Sequence, residues 1–141
     1  MLFGENSRED YVVLNLLHSE VMKDTGDPWG QRDAQLTRAA VSRPFRTAFG
    51  QEIYGDIYMK AAALLDAIVN RVVFRDGNKR TALLAAVLYL GRNDKIVSFG
   101  RKEGEALMWY VVLEHPKIEE IADWLKSHTL GRSLATDGAK N

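Results

Sequence analysis

Cysteine is absent from the 141 residues. That excludes a disulfide framework and any thiolate metal site. An excess of charge is also missing: 19 Lys and Arg face 19 Asp and Glu, for a formal net charge of zero. No global field favours nucleic acid or an anionic membrane, so neither is expected as a direct partner. Long apolar runs are lacking too. The longest, Ala82 to Leu90, is far short of the ~20 residues that span a bilayer. The first residues, Met1-Leu2-Phe3-Gly4-Glu5-Asn6, carry neither a basic region nor an apolar stretch, so no secretory leader is expected. These absences point to a soluble, cytoplasmic protein. The length fits one domain with a real core.

What is present is helical periodicity. Val12, Val13, Leu16, Leu17 and Val21 repeat with helical spacing, predicting a helix from about Arg8 to Lys23. His18 lies on it. With no second ligand four residues on, it is expected as a partly exposed helix residue rather than a metal ligand. Asp24 to Gly30 is turn-rich, and Trp29 there is expected to anchor the loop on the core. Asp33 to Ser42 reads as a short helix ending before Pro44. Arg38 and Arg43 are expected to be solvated, with a phosphate site as the alternative. Phe45 to Tyr54 has no helical period and fits either a hairpin or an aromatic-anchored loop.

Asp56 can cap a helix from Ile57 to about Val73, with Ala61, Leu64, Leu65, Ile68 and Val69 on its apolar face. Asn78 to about Arg92 is apolar nearly all round and should be buried. Ile96 to Phe99 fits a short extended piece. Lys102 to Glu114 predicts a helix with Leu107, Met108, Tyr110 and Val111 inside. Pro116 suits the first turn of a last helix, to about Ser127. Leu130 to Asn141 is small and polar and is expected to be disordered. With strand patterning minimal, the class is all-α.

The chemistry concentrates in Val72-Val73-Phe74-Arg75-Asp76-Gly77-Asn78-Lys79-Arg80-Thr81-Ala82-Leu83-Leu84, a short polar loop feeding an apolar helix. Gly77 permits a turn other residues resist. Asp76 and Asn78 are good capping types. The free N–H groups and positive dipole end of such a helix start attract anions. Lys79 and Arg80 add two charges, and Asp76 could hold a divalent cation beside a phosphate. A capped core helix with two solvated cations fits the same string.

Phe74-x-Asp76-Gly77-Asn78-Lys79-Arg80-Thr81-Ala82-Leu83 resembles the signature loop of the Fic/Doc superfamily. The Lys79 to Leu83 ending resembles its death-on-curing branch. Pro44-x-x-x-x-Phe49-Gly50-x-Glu52-x-Tyr54 and Asp56-Ile57-Tyr58-x-Lys60-Ala61-Ala62-Ala63-Leu64-Leu65 resemble that branch as well. The likeness runs from about Val13 to His128. It implies a helical bundle around a buried central helix, with a small β-hairpin flap over the loop. The single domain is then 1–128, with a disordered tail at 129–141.

The resemblance also implies roles. Asp76 would hold Mg²⁺ bridging nucleotide phosphates. The backbone of Gly77, Asn78 and Lys79 would form the anion cradle for ATP. Lys79 and Arg80 would pair with phosphate oxygens, and Phe74 would be a core anchor. Fic-type enzymes move AMP to a hydroxyl. The death-on-curing branch resembles a kinase acting on a threonine of a translation elongation factor. Lys79 stands where the nucleotidyl-transferring branch usually has glycine, so phosphoryl transfer is the better inherited expectation. Such toxins pair with a small antitoxin protein.

One position departs. Two residues before Phe74, where the family carries its histidine general base, this chain has Val72. Valine has no lone pair to take a proton, and general base catalysis is worth ~10²–10⁴-fold. None of His18, His115 and His128 sits near the loop in sequence. Three readings follow: a toxin with an impaired or altered transferase, a non-catalytic nucleotide- or partner-binding pseudoenzyme, or an engineered inactive copy, in that order.

Overall fold

The computed structural model describes residues 7–23 and 32–131. Among them are six helices and one hairpin. In chain order these are α1 Ser7–Val21, α2 Ala34–Ser42, β1 Thr47–Ala48, β2 Gln51–Glu52, α3 Ile57–Asn70, α4 Asn78–Arg92, α5 Arg101–Glu114 and α6 Ile118–Ser127. This is the expected all-α bundle with a small hairpin. The expected lead-in, the loop carrying Trp29 and the tail beyond residue 131 lie outside the described residues.

α3 and α4 form the centre. α3 packs most extensively on α4, then on α6, the turn before the hairpin and α2. It starts where Asp56 Oδ1 accepts the Met59 N–H at 2.9 Å and buries an unbroken run from Lys60 to Leu65, then Ala67 to Val69. Small alanines at 61, 62, 63 and 67 let neighbouring helices approach closely, and Leu14, Phe74, Leu90, Ile121 and Leu125 fill the space between them.

α4 buries Thr81, Ala82, Leu83, Ala85, Ala86, Tyr89 and Leu90. The apolarity nearly all round reads as burial on every side, but one stripe faces solvent: Arg80, Leu84 and Gly91, with Leu84 42% exposed. α4 packs on α3, α1 and α5, and these leave a fourth side open.

α3 ends three residues before its expected limit. Val73 N–H bonds the Ile68 carbonyl and Val72 N–H the Val69 carbonyl, with Val72 in the left-handed region at φ +50°. That pair of bonds is the Schellman stop, whose left-handed position is usually glycine.

The hairpin pairs Thr47 with Glu52 and Ala48 with Gln51. Its tip residues Phe49 and Gly50 both have positive φ, the twist tight hairpins favour. A polar cluster ties it to α3. Arg43 Nη1 donates to Asp66 Oδ2 at 2.5 Å and Arg43 Nε to the Tyr54 hydroxyl at 3.1 Å. Lys60 Nζ bonds the Tyr54 carbonyl and pairs with Glu52 at 3.2 Å. Arg43 was expected in solvent; it is instead half-buried. Burial opposes its charge, but the bonds from Asp66 and Tyr54 outweigh that and raise its pKa.

α5 buries Gly104, Leu107, Met108 and Val111, whereas Tyr110, expected inside, is exposed because it sits off that stripe. Pro116 precedes the N-cap Lys117 of α6 rather than joining its first turn. The extended piece at Ile96 to Ser98 pairs with the chain after α6. Val97 bridges Thr129, and Leu130 N–H bonds the Ile96 carbonyl at 2.8 Å.

Candidate functional site

The loop between α3 and α4 is held from three sides. Phe74, fully buried, is bracketed by Asn78: the Phe74 N–H donates to Asn78 Oδ1 at 2.9 Å and Asn78 Nδ2 donates to the Phe74 carbonyl at 2.7 Å. Asn78 therefore spends its side chain closing the loop rather than capping α4. The N-cap is Gly77 at φ +77°. A Cβ there would meet Met22 Sδ at 2.6 Å and His18 Nε2 at 3.5 Å. Glycine is thus required twice, for the backbone conformation and for the close approach of α1.

His18 supplies the second hold. Expected as a partly exposed residue, it is 2% exposed. Its ring lies flat on Phe74, centroids 3.8 Å apart and planes 4° apart. Its Nε2 lies 2.8 Å from the Asp76 carbonyl. Leu14 and His18 on α1 and Met22 just after it, four residues apart and all buried, face the same way. That spacing was the available signal for a buried histidine.

The third hold is Arg32, just before α2. Its N–H donates to the Val73 carbonyl at 2.9 Å, and its Nη1 donates to the Val72 carbonyl at 2.9 Å. Val72 itself is 44% exposed, on the outer lip of the loop. His115 caps α5 and His128 bonds Trp124 and Glu103. Among the described residues, neither hydrogen-bonds to the loop.

The functional side chains point three ways. Asp76, exposed, accepts the Gly77 N–H at 2.7 Å through Oδ1. Arg80 is exposed on the open stripe of α4. Lys79 lies with its ammonium 4.3 Å from the centre of the Trp109 ring on α5, a cation–π contact between residues 30 positions apart that no local pattern signals. As at any helix start, the N–H groups of Asn78, Lys79 and Arg80 have no intrahelical acceptor, and no backbone partner is found for them among the described residues. The structure thus brings Asp76, Gly77, Asn78, Lys79 and Arg80 onto one helix start, with Val72 on the adjoining lip.

This arrangement suits a polyanion. N–H groups without a backbone acceptor, a positive dipole end, two cations and the Asp76 carboxylate share one helix start. Among the described residues there is no group of three acidic or imidazole side chains that could cage a metal. A hard cation at Asp76 would draw its remaining ligands from phosphate and water, as Mg²⁺ usually does. No helix among the described residues is long and apolar enough to cross a membrane.

Comparison with known proteins meets this geometry at the same residues. The family model for the Fic/DOC family matches residues 9–90, which run from α1 through the loop to most of α4. The chain is also 38% identical over 93 residues to Toxin Doc of Mycolicibacterium smegmatis, covering 64% of this chain and 72% of that protein. With the signature loop built into that matched span and more than half of its length matched, this chain belongs to the Fic/DOC family.

Proposed function

We propose that this chain is the toxin of a toxin–antitoxin pair, that its Asp76–Arg80 loop takes the phosphates of ATP with Mg²⁺, and that its transfer chemistry is impaired at Val72. The observation that carries the reading is the pre-ordered helix start. Gly77 turns the chain, the N–H groups of 78–80 have no backbone acceptor among the described residues, and Asp76, Lys79 and Arg80 lie beside them in the chain. Likeness to a relative named Toxin Doc supports the toxin role and a small antitoxin protein as partner.

The residues present fit the group they would hold. Asp76 keeps one carboxylate oxygen outside its bond to Gly77. The Lys79 ammonium rests on a π face, an interaction weak enough at an exposed site for phosphate to compete. When bound, Mg²⁺ would neutralise charge on the transferred group; positioning and charge stabilisation dominate such reactions. Lys79 in place of glycine favours phosphoryl over AMP transfer. A translation elongation factor is the target class implied by the death-on-curing branch. Arg80 would pair with phosphate oxygens, and Arg32 would hold the lip on which the target hydroxyl approaches.

Calorimetry with ATP and Mg²⁺ tests the reading. The parent protein should bind, and Arg80→Ala should bind more weakly. Equal binding by both, or none by either, refutes the cradle.

A second reading is favoured by Val72 alone: a pseudoenzyme that holds nucleotide or a partner without turnover. The two separate on transfer from labelled ATP to purified elongation factor. Measurable transfer by the parent supports an impaired enzyme, and none with intact binding supports the pseudoenzyme.

A further inference from the structure

The peptide between Asp76 and Gly77 is contacted on both edges. Its carbonyl points to α1, where His18 Nε2 lies at 2.8 Å. Its N–H points to the Asp76 carboxylate, at 2.7 Å. In a trans planar peptide these two groups point in opposite directions. Whatever fixes the carbonyl inward therefore fixes the N–H outward, and with it the side chain that N–H holds. A carbonyl only accepts, so Nε2 must be the protonated nitrogen of His18.

We infer that His18 is a positioning residue for the loop: through the 76–77 peptide it turns the Asp76 carboxylate to the outer face where a phosphate-bound cation would sit. The inference rests on the polyanion reading of the loop. His18 touches no ligand itself. It is buried under Gly77 beside Met22 and stacked on Phe74, which Asn78 brackets in turn. The ring sets the height of the loop, and the N–H sets the rotation of one peptide. A plain core residue would supply only the first. With the second in place, the carboxylate is oriented before any ligand arrives, so binding loses less to ordering.

The test uses the full chain and two variants. His18→Phe keeps the stacked ring and removes the donor. His18→Gln removes the ring and returns an N–H near the position of Nε2. ATP binding is titrated calorimetrically with and without Mg²⁺, melting is followed in parallel, and hydrogen exchange is read at the Gly77 amide. In His18→Phe the strengthening of ATP binding by Mg²⁺ should fall about tenfold and the Gly77 amide should exchange faster, while the Mg²⁺-free affinity stays within a few-fold. In His18→Gln both should return toward the parent. Unchanged Mg²⁺ dependence and unchanged Gly77 exchange in His18→Phe overturn the proposal. Equal loss in the two variants also overturns it, because ring volume would then be the cause. Should His18→Phe fail to fold, the parent decides: ¹⁵N resonances showing Nε2 without its proton overturn the proposal, and an Nε2–H tautomer supports it. If the parent binds no ATP at all, the polyanion reading fails, while the tautomer and the Gly77 exchange still settle whether His18 orients the loop.

Discussion

Arg32 holds the backbone of Val72. Its guanidinium donates to the Val72 carbonyl at 2.9 Å while Val72 sits at φ +50°. A β-branched side chain is a poor occupant of that conformation, because its Cβ crowds the carbonyl oxygen. The surrounding bonds maintain the left-handed turn and valine bears the strain. Glycine is the usual residue at this position of a helix stop, and histidine, asparagine and aspartate tolerate it better than valine.

The first expectation follows from that strain. Val72→Gly should raise stability by about 1 kcal/mol, the left-handed penalty of ~1–2 kcal/mol less the extra chain entropy of glycine. Urea unfolding measures it. A lower midpoint would mean that the exposed valine side chain makes contacts worth more than its strain.

Val72→His should place an imidazole where the family carries its base. Transfer from labelled ATP to elongation factor should rise ~10²–10⁴-fold while nucleotide affinity stays within a few-fold. The neighbouring positive charge of Arg71 should lower the pKa of the new imidazole. Robust transfer by the parent protein would show that another group takes the proton, and the reading of Val72 as the disabling change would fall.

Lys79 rests on Trp109 at 4.3 Å, so phosphate that draws the ammonium away must change the environment of the indole. Mg²⁺-ATP should alter tryptophan fluorescence, and Trp109→Phe should abolish the change while Trp29 and Trp124 remain. A change that persists in Trp109→Phe would locate the signal elsewhere.

Burial on α4 can be tested by paired substitutions. Ala86→Asp puts an unpaired charge into the centre of the bundle and should abolish cooperative melting, since such burial costs several kcal/mol or more. Leu84→Glu, on the open stripe, should melt within a few degrees of the parent. Similar melting of the two would contradict the orientation of α4.

Glu103 offers a pH test. Its pKa is lowered from the ordinary 4.5 by the Gly100 N–H it accepts and then by His128. A depressed carboxylate stabilises the fold above its unfolded pKa, and the effect is lost as pH falls through the folded value. Glu103→Gln should therefore melt below the parent at pH 7, and the gap should close in acid below that range. A gap that persists there would point to packing instead of charge.

Local interactions fixed much of this protein in its sequence. Apolar patterning placed all six described helices: a stripe repeating with the helical period in five, and apolarity nearly all round in α4. Asp56 marked one start because a carboxylate satisfies the first free N–H groups, and it does so. Asp33, at the head of the helix expected to end at Ser42, caps α2 in the same way. The string from Phe74 to Leu83 located the loop, since its turn depends on residues adjacent in the chain. Partners distant in sequence were decided only by tertiary packing. Arg43 is 23 residues from Asp66 and His18 is 58 residues from Asp76. Whether an arginine is solvated, or a histidine buried, depends on which helix crosses above it. Likewise Leu84 is exposed because the three helices around α4 leave one side open, and no composition of α4 itself could say which side.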